Sequence, residues 1–187
     1  MWDTKRILKE LADAPLRRRI LSAFWRYAEP HARLLAAAQL AKTMHFREES
    51  IRKMPLEKKA DLLAGRIGAP EFSEAFAIAL MQYHTHDQNE MLAAFLDAWA
   101  IPHENGSIEV DEYPVPNADA VRDAVAKLDR FPARDVAVYL ASAGLLMGDE
   151  WRESAWPVVD ELGRSSRRNG GTRAASRRCD VVSEERR

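Results

Sequence analysis

The chain has 187 residues and a mass of 21.2 kDa, with 47% hydrophobic and 30% charged residues. A chain of this length buries about 70% of the surface that its unfolded form exposes, so a core can form without staples. One cysteine, Cys179, excludes an internal disulfide framework. The longest apolar run, Ala75 to Met81, is seven residues against the ~20 that a membrane-spanning helix needs. The opening residues Met-Trp-Asp-Thr-Lys-Arg have no apolar signal-peptide core. The expectation is a soluble, cytoplasmic protein.

The net charge of -1 hides an uneven layout. Residues 1–66 carry 15 Lys and Arg against 8 Asp and Glu, a net of +7. Residues 67–163 carry 5 basic and 18 acidic residues, a net of -13, and residues 164–187 carry 8 Arg and 3 acids, a net of +5. Opposite halves of this kind either attract each other in the fold or face different partners.

In chain order, the apolar spacing predicts a helix over 3–13 with Ile7, Leu8 and Leu11 on one face. A second runs over 15–28 with Leu16, Ile20, Phe24 and Tyr27, and a third over 30–45 with Leu34, Leu35, Ala38 and Ala41. The stripe keeps its phase across Pro30, so the two also fit one kinked helix. A fourth covers 55–67. A fifth, 70–86, is apolar nearly all round and is expected to be the central, most buried helix. Asp87 and Glu90 are spaced as a capping box for a sixth, ending near Ala100.

Residues 101–116 hold three prolines and the Asn105-Gly106 turn signal, and read as a long loop. Asn117 then caps a seventh helix over 118–130, an eighth covers 132–147, and a ninth starts near Asp149 with Pro157 bending or restarting it. Gly68, Gly148 and Gly163 stand where left-handed helix ends are wanted. The result is an all-α fold: one compact bundle of about eight or nine helices over 1–162. Residues 163–187 read as a disordered, arginine-rich tail, because their composition buries too little to offset ordering entropy.

The chemical candidates are few. Arg17, Arg18, Arg19 and Arg26 give the second helix a basic face, and Glu104, Glu109, Asp111 and Glu112 give the 101–116 loop an acidic one. Both are candidate partner-binding surfaces. Tyr83-His84-Thr85-His86-Asp87 stands at the end of the fifth helix. An adjacent His-Asp with a histidine upstream resembles the metal site of the HD-type phosphohydrolases, which are all-helical. That resemblance implies a divalent metal held by His86 and Asp87, with His31, or else His45, as the earlier ligand and Asp97 or Asp135 as the later one. Where the family follows the pair with a hydrophobic-Gly-Lys turn, this chain has Gln88-Asn89-Glu90. A simpler reading leaves His84 and His86 complementing the dipole of a helix end and Asp87 capping the next helix.

Zinc, di-iron, phosphate-loop and nucleophile-elbow patterns are absent from the sequence. A helix-turn-helix over 136–162 would put Asp149, Glu150, Glu153, Asp160 and Glu161 against phosphate, which excludes it. The reading favoured by the residues is a non-enzymatic helical binding or scaffold protein without a cofactor. Its expected partner is an unknown protein or an acidic partner, with no membrane involved; a second copy of the chain, and nucleic acid touched weakly by the tail, are further candidates. A metal-dependent phosphohydrolase is the alternative.

Overall fold

The computed structural model describes residues 3–106, 117–146 and 148–179, with backbone alone at 146 and 165–179. The described residues form an all-α bundle of ten α-helices. α1 (Thr4–Arg6) is capped by Asp3, whose side chain accepts from the Arg6 N–H at 2.7 Å, and passes into a π turn over Ile7–Leu11. α2 is Ala14–Tyr27, with Asp13 accepting from the Leu16 N–H at 3.0 Å and Pro15 in its first turn. The backbone is extended at Ala28 and Glu29, so α3 (Pro30–Met44) is a separate helix rather than a kinked continuation.

α4 (Glu48–Lys53) has no counterpart among the expected helices; six residues give too few turns for an apolar stripe to show. α5 is Leu56–Ala64. A 3₁₀ turn over Pro70–Phe72 leads into α6 (Ser73–Gln82), which widens into a second π turn over Tyr83–Asp87 before α7 (Asn89–Ala98). α8 (Ala118–Ala126) starts on Asn117, whose side chain accepts from the Ala120 N–H at 2.8 Å, as its sequence position predicts. α9 is Ala133–Leu146 and α10 is Asp149–Cys179.

Two groups of helices make the bundle. α2 packs on α5, α6 and the second π turn; α9 packs most closely on α10, with α8 alongside. The groups meet where α9 crosses the Ile7–Leu11 turn. Ile7, Leu8, Leu16, Ile20, Leu21, Phe24, Phe72, Phe95 and Tyr83 are among the most enclosed side chains. Each large apolar side chain taken fully out of water contributes roughly 1.5–3 kcal/mol.

Three expectations change. The most buried helix is α9, not 70–86. Asp135 through Gly144 are all buried in succession, as are Ile20 through Trp25 on α2, whereas Ala77 and Met81 on α6 stay exposed. Of the two roles expected for Pro157, bending or restarting the last helix, restarting does not occur; it lies inside α10. Gly163 is no helix end either. It is buried within α10 because Leu11 packs against it: a Cβ there would stand 3.2 Å from Leu11 Cδ2. Gly68 and Gly148, by contrast, do adopt positive φ, at 101° and 92°. The backbone of α10 continues past Gly163 to Cys179, and residues 180–187 lie outside the described residues.

Phe76 and Leu80 on α6 are both buried at 2% exposure. Phe76→Ala should cost about 3–5 kcal/mol and Leu80→Ala about 2–5 kcal/mol, the ranges for cavity-forming truncations. Urea denaturation checks both; near-neutral midpoints would mean that α6 does not face the core.

A candidate anion-binding groove

The four arginines expected to face a partner are engaged inside the chain. Arg17 donates from Nε to the Leu8 carbonyl at 2.7 Å and from Nη2 to the Ala12 carbonyl at 2.9 Å. It thereby satisfies carbonyls left at the end of the first π turn. Arg18 makes a two-pronged contact with Asp61, at 2.8 and 3.1 Å. Arg19 places Nη2 3.2 Å from both oxygens of Asp135, whose side chain is 4% exposed, and lies over the Tyr83 ring. Arg26 reaches Asp87 and the Tyr27 hydroxyl, each at 3.2 Å.

Burial pushes the Asp135 carboxyl up from its ordinary range, and Arg19 pulls it back down. Burial, with the Asp135 charge adding to it, raises the Tyr83 hydroxyl to about 12. Two of the pairs, Arg19–Asp135 and Arg26–Asp87, join the basic N-terminal part to the acidic part that follows. Arg134 and Asp13 join the same two parts with the signs reversed. On the acidic loop, Glu104 is exposed beside the Asn105-Gly106 turn, whose φ angles are 51° and 87°. Glu109, Asp111 and Glu112 lie outside the described residues.

Cations with no carboxylate partner among the described residues stand elsewhere. A groove of about 350 Å³ opens beside the C-terminal end of α2, lined by Trp25, Pro30, Arg33, Leu34, Ala37, Arg52 and Lys59. Pro30, Arg33, Leu34 and Ala37 recur at helical spacing and so form one wall from α3. Arg52 comes from α4 and Lys59 from α5. Arg33 donates from Nη1 to the Trp25 carbonyl at 3.2 Å, closing the end of α2 and fixing its own guanidinium at the groove. The Lys59 ammonium lies 5.3 Å from the centre of the Trp25 ring, over its face. Among the described residues no carboxylate lines the groove.

Trp25 Nε1 is buried with no hydrogen-bond partner among the described residues. Just outside, Leu35 is 50% exposed beside Leu34 at 44%. Sequence reasoning attended to the arginine run and passed over this set. The spacing of residues 30, 33, 34 and 37 was a usable signal. Arg52 was not, because α4 itself was not expected.

The second π turn brings His86 and Asp87 to Tyr27 rather than to a metal set. The His86 ring stacks on Tyr27 at 4.4 Å, and Asp87 accepts from the Tyr27 hydroxyl at 3.0 Å as well as from Arg26. His31 is exposed in the first turn of α3, His45 takes a left-handed conformation at its end, and Asp97 lies 3.2 Å from His103. Among the described residues no three His, Cys, Asp or Glu side chains are grouped so as to hold a metal ion. Asp87 does not cap α7 either. The helix continues through Asp87 as a π turn, so the break falls at Gln88 and the cap position with it.

The chain matches no protein-family model, no curated protein and no solved structure. Among the described residues no helix is long and apolar enough to cross a membrane.

His84, in the same π turn, is buried with both ring nitrogens unpartnered among the described residues, between the Tyr83 and Tyr139 rings at 5.4 and 5.3 Å. Burial drives its pKa down to about 3. Above pH ~6.5 the ring is neutral in both folded and unfolded chains and has no effect on stability. Below that, the unfolded chain takes up a proton that the folded one refuses. Stability should therefore fall by about 1.4 kcal/mol per pH unit from this group, through a window closing near pH 3. Asp135 acts the other way at the acid end, since its raised pKa makes the folded chain bind a proton more readily. The window for His84 alone is thus its upper part, from about pH 6.5 to 5, where it removes roughly 2 kcal/mol. His84→Phe should flatten the dependence of the urea midpoint on pH across that range; an unchanged slope would place the titrating group elsewhere.

Proposed function

We propose that this chain is a non-enzymatic binding protein whose groove beside Trp25 takes an anionic ligand with an apolar part. The observation that carries the reading is the contrast between two sets of cations. Arg17, Arg18, Arg19 and Arg26 are committed to carbonyls and carboxylates of the fold. Arg33, Arg52 and Lys59 surround an open, partly apolar groove lined by no acid. Cations held together without a counter-charge repel one another, and an anion relieves that repulsion. The apolar wall of Pro30, Leu34 and Ala37 adds a favourable surface for a hydrophobic body. The metal-dependent phosphohydrolase ranks second, because Asp87 would have to leave Arg26 and Tyr27 to ligate a metal.

Naphthalene-1-sulfonate is a suitable probe: a rigid apolar body bearing one fixed negative charge. Calorimetric titration should show binding that weakens as NaCl is raised. It should fall at least tenfold in Arg52→Glu, which changes an exposed side chain, or in Lys59→Glu, which changes the half-buried cation over Trp25. Neutral 1-naphthol should bind much more weakly. Equal affinity for the two probes, or no loss in the charge-reversed variants, would contradict the assignment.

A further inference from the structure

We infer that the arginine-rich end of α10 binds duplex DNA, lying in the major groove with arginines on two sides of the helix meeting the phosphates of both strands. The site is separate from the Trp25 groove and stands or falls without it. α10 changes character at Gly163. From Asp149 to Glu161 it carries the acids Asp149, Glu150, Glu153, Asp160 and Glu161 against one cation, Arg152. From Arg164 to Cys179 it carries six arginines and no Asp or Glu. The helix runs through Gly163 from one part to the other. Arg164, where the basic part begins, is exposed and donates from Nε to the Asp160 carbonyl at 3.1 Å.

In the register of an α-helix, Arg164, Arg167, Arg168 and Arg178 share one face, and Arg173 and Arg177 fall on the far side. Like charges stand at i, i+4 in Arg164–Arg168 and in Arg173–Arg177, a spacing that destabilises a helix until an anion offsets it. Between 164 and 179 only Ala174, Ala175 and Cys179 are apolar, so the sequence offers no stripe for a partner helix or a lipid surface. Charge is left as the recognising chemistry. An acidic protein surface meets one face of a helix, whereas the DNA major groove has a phosphate strand on either side. Its width of about 12 Å admits a helix of about 10–12 Å diameter. Cations on two faces therefore select the groove over a one-sided partner. The major groove of duplex RNA is too narrow for a helix. The acids of the first part of α10 repel phosphate, so the duplex is held beyond Gly163.

The test uses the full chain and a fluorescein-labelled DNA duplex of about 20 base pairs, read by anisotropy. Comparators are the RNA duplex of the same sequence, the single DNA strand and a poly-glutamate peptide. The DNA duplex should bind most tightly of the four. Raising NaCl from about 50 to about 200 mM should weaken it on the order of several hundredfold, the loss for about five neutralised phosphates. Arg167→Gln with Arg168→Gln removes charge from one face, and Arg173→Gln with Arg177→Gln from the other. Each pair should weaken binding at least tenfold, while the matching Arg→Lys pairs stay within severalfold of the parent. A loss with one pair alone would overturn the two-sided placement. Binding of the RNA duplex, the single strand or poly-glutamate as tight as that of the DNA duplex would overturn the choice of partner. A salt effect below tenfold, or Arg→Lys losses as large as those of Arg→Gln, would overturn recognition by charge. No binding at about 50 mM NaCl would overturn the inference as a whole.

Discussion

Helix α2 buries a continuous stretch of side chains and yet carries four arginines, and much of the molecule is arranged around that conflict. From Ile20 to Trp25 no residue of α2 is open to water. The guanidinium heads stay largely in water: the side chains of Arg18, Arg19 and Arg26 are 55%, 51% and 40% exposed. The arginines therefore reach the periphery of α2, and each meets an acceptor supplied by another element: the first π turn for Arg17, α5 for Arg18, α9 for Arg19 and the second π turn for Arg26. Pairs with so exposed a cation contribute about 0–1 kcal/mol each, so they complement the packing of α2 against these elements rather than set it. The Arg19–Asp135 pair spans 116 residues of sequence and ties the α9–α10 group to the α2 group.

Much of this was legible in advance. The all-α class, the helix start at Asn117, the first-turn prolines and the Asn105-Gly106 turn follow from local chemistry, which a linear sequence displays directly. What escaped depends on contacts between distant residues. The burial of α2 is concealed by its arginines, which lower its apparent apolarity although their aliphatic stems and heads are accommodated at its rim. The role of Gly163 reads as a helix stop until Leu11, some 150 residues earlier, is seen to occupy the space beside it. The two π turns carry no sequence signature at all, and one of them moved Asp87 off the cap of α7 and onto Tyr27 and Arg26.

The same limit bears on the arginine run as a candidate binding surface. Density of positive charge in sequence measures what has to be neutralised, not what remains. The remaining charge depends on which acids the fold brings near, and the fold brings Asp61, Asp87 and Asp135 to α2. Arg33, Arg52 and Lys59 are scattered over three helices and look unremarkable in sequence, yet they end up around one tryptophan. Two π turns carry related burdens: one is closed by Arg17, the other buries an imidazole whose neutral state is enforced by its surroundings. Wider turns of this kind often mark sites where a helix trades regularity for a particular side-chain placement.

The claim most exposed to test is that the α2 arginines are consumed by the fold while Arg52 at the groove is not. Side-chain Nε–Hε signals of arginine report it directly by NMR, since a hydrogen-bonded Hε exchanges slowly with water and a free one rapidly. Arg17 and Arg18 donate from Nε to the Leu8 carbonyl and to Asp61. Their Hε signals should persist at neutral pH and exchange at least tenfold more slowly than that of Arg52 at the groove. Equal exchange at Arg17, Arg18 and Arg52 would contradict the account, because the arginines of α2 would then be as free to meet a partner as those of the groove.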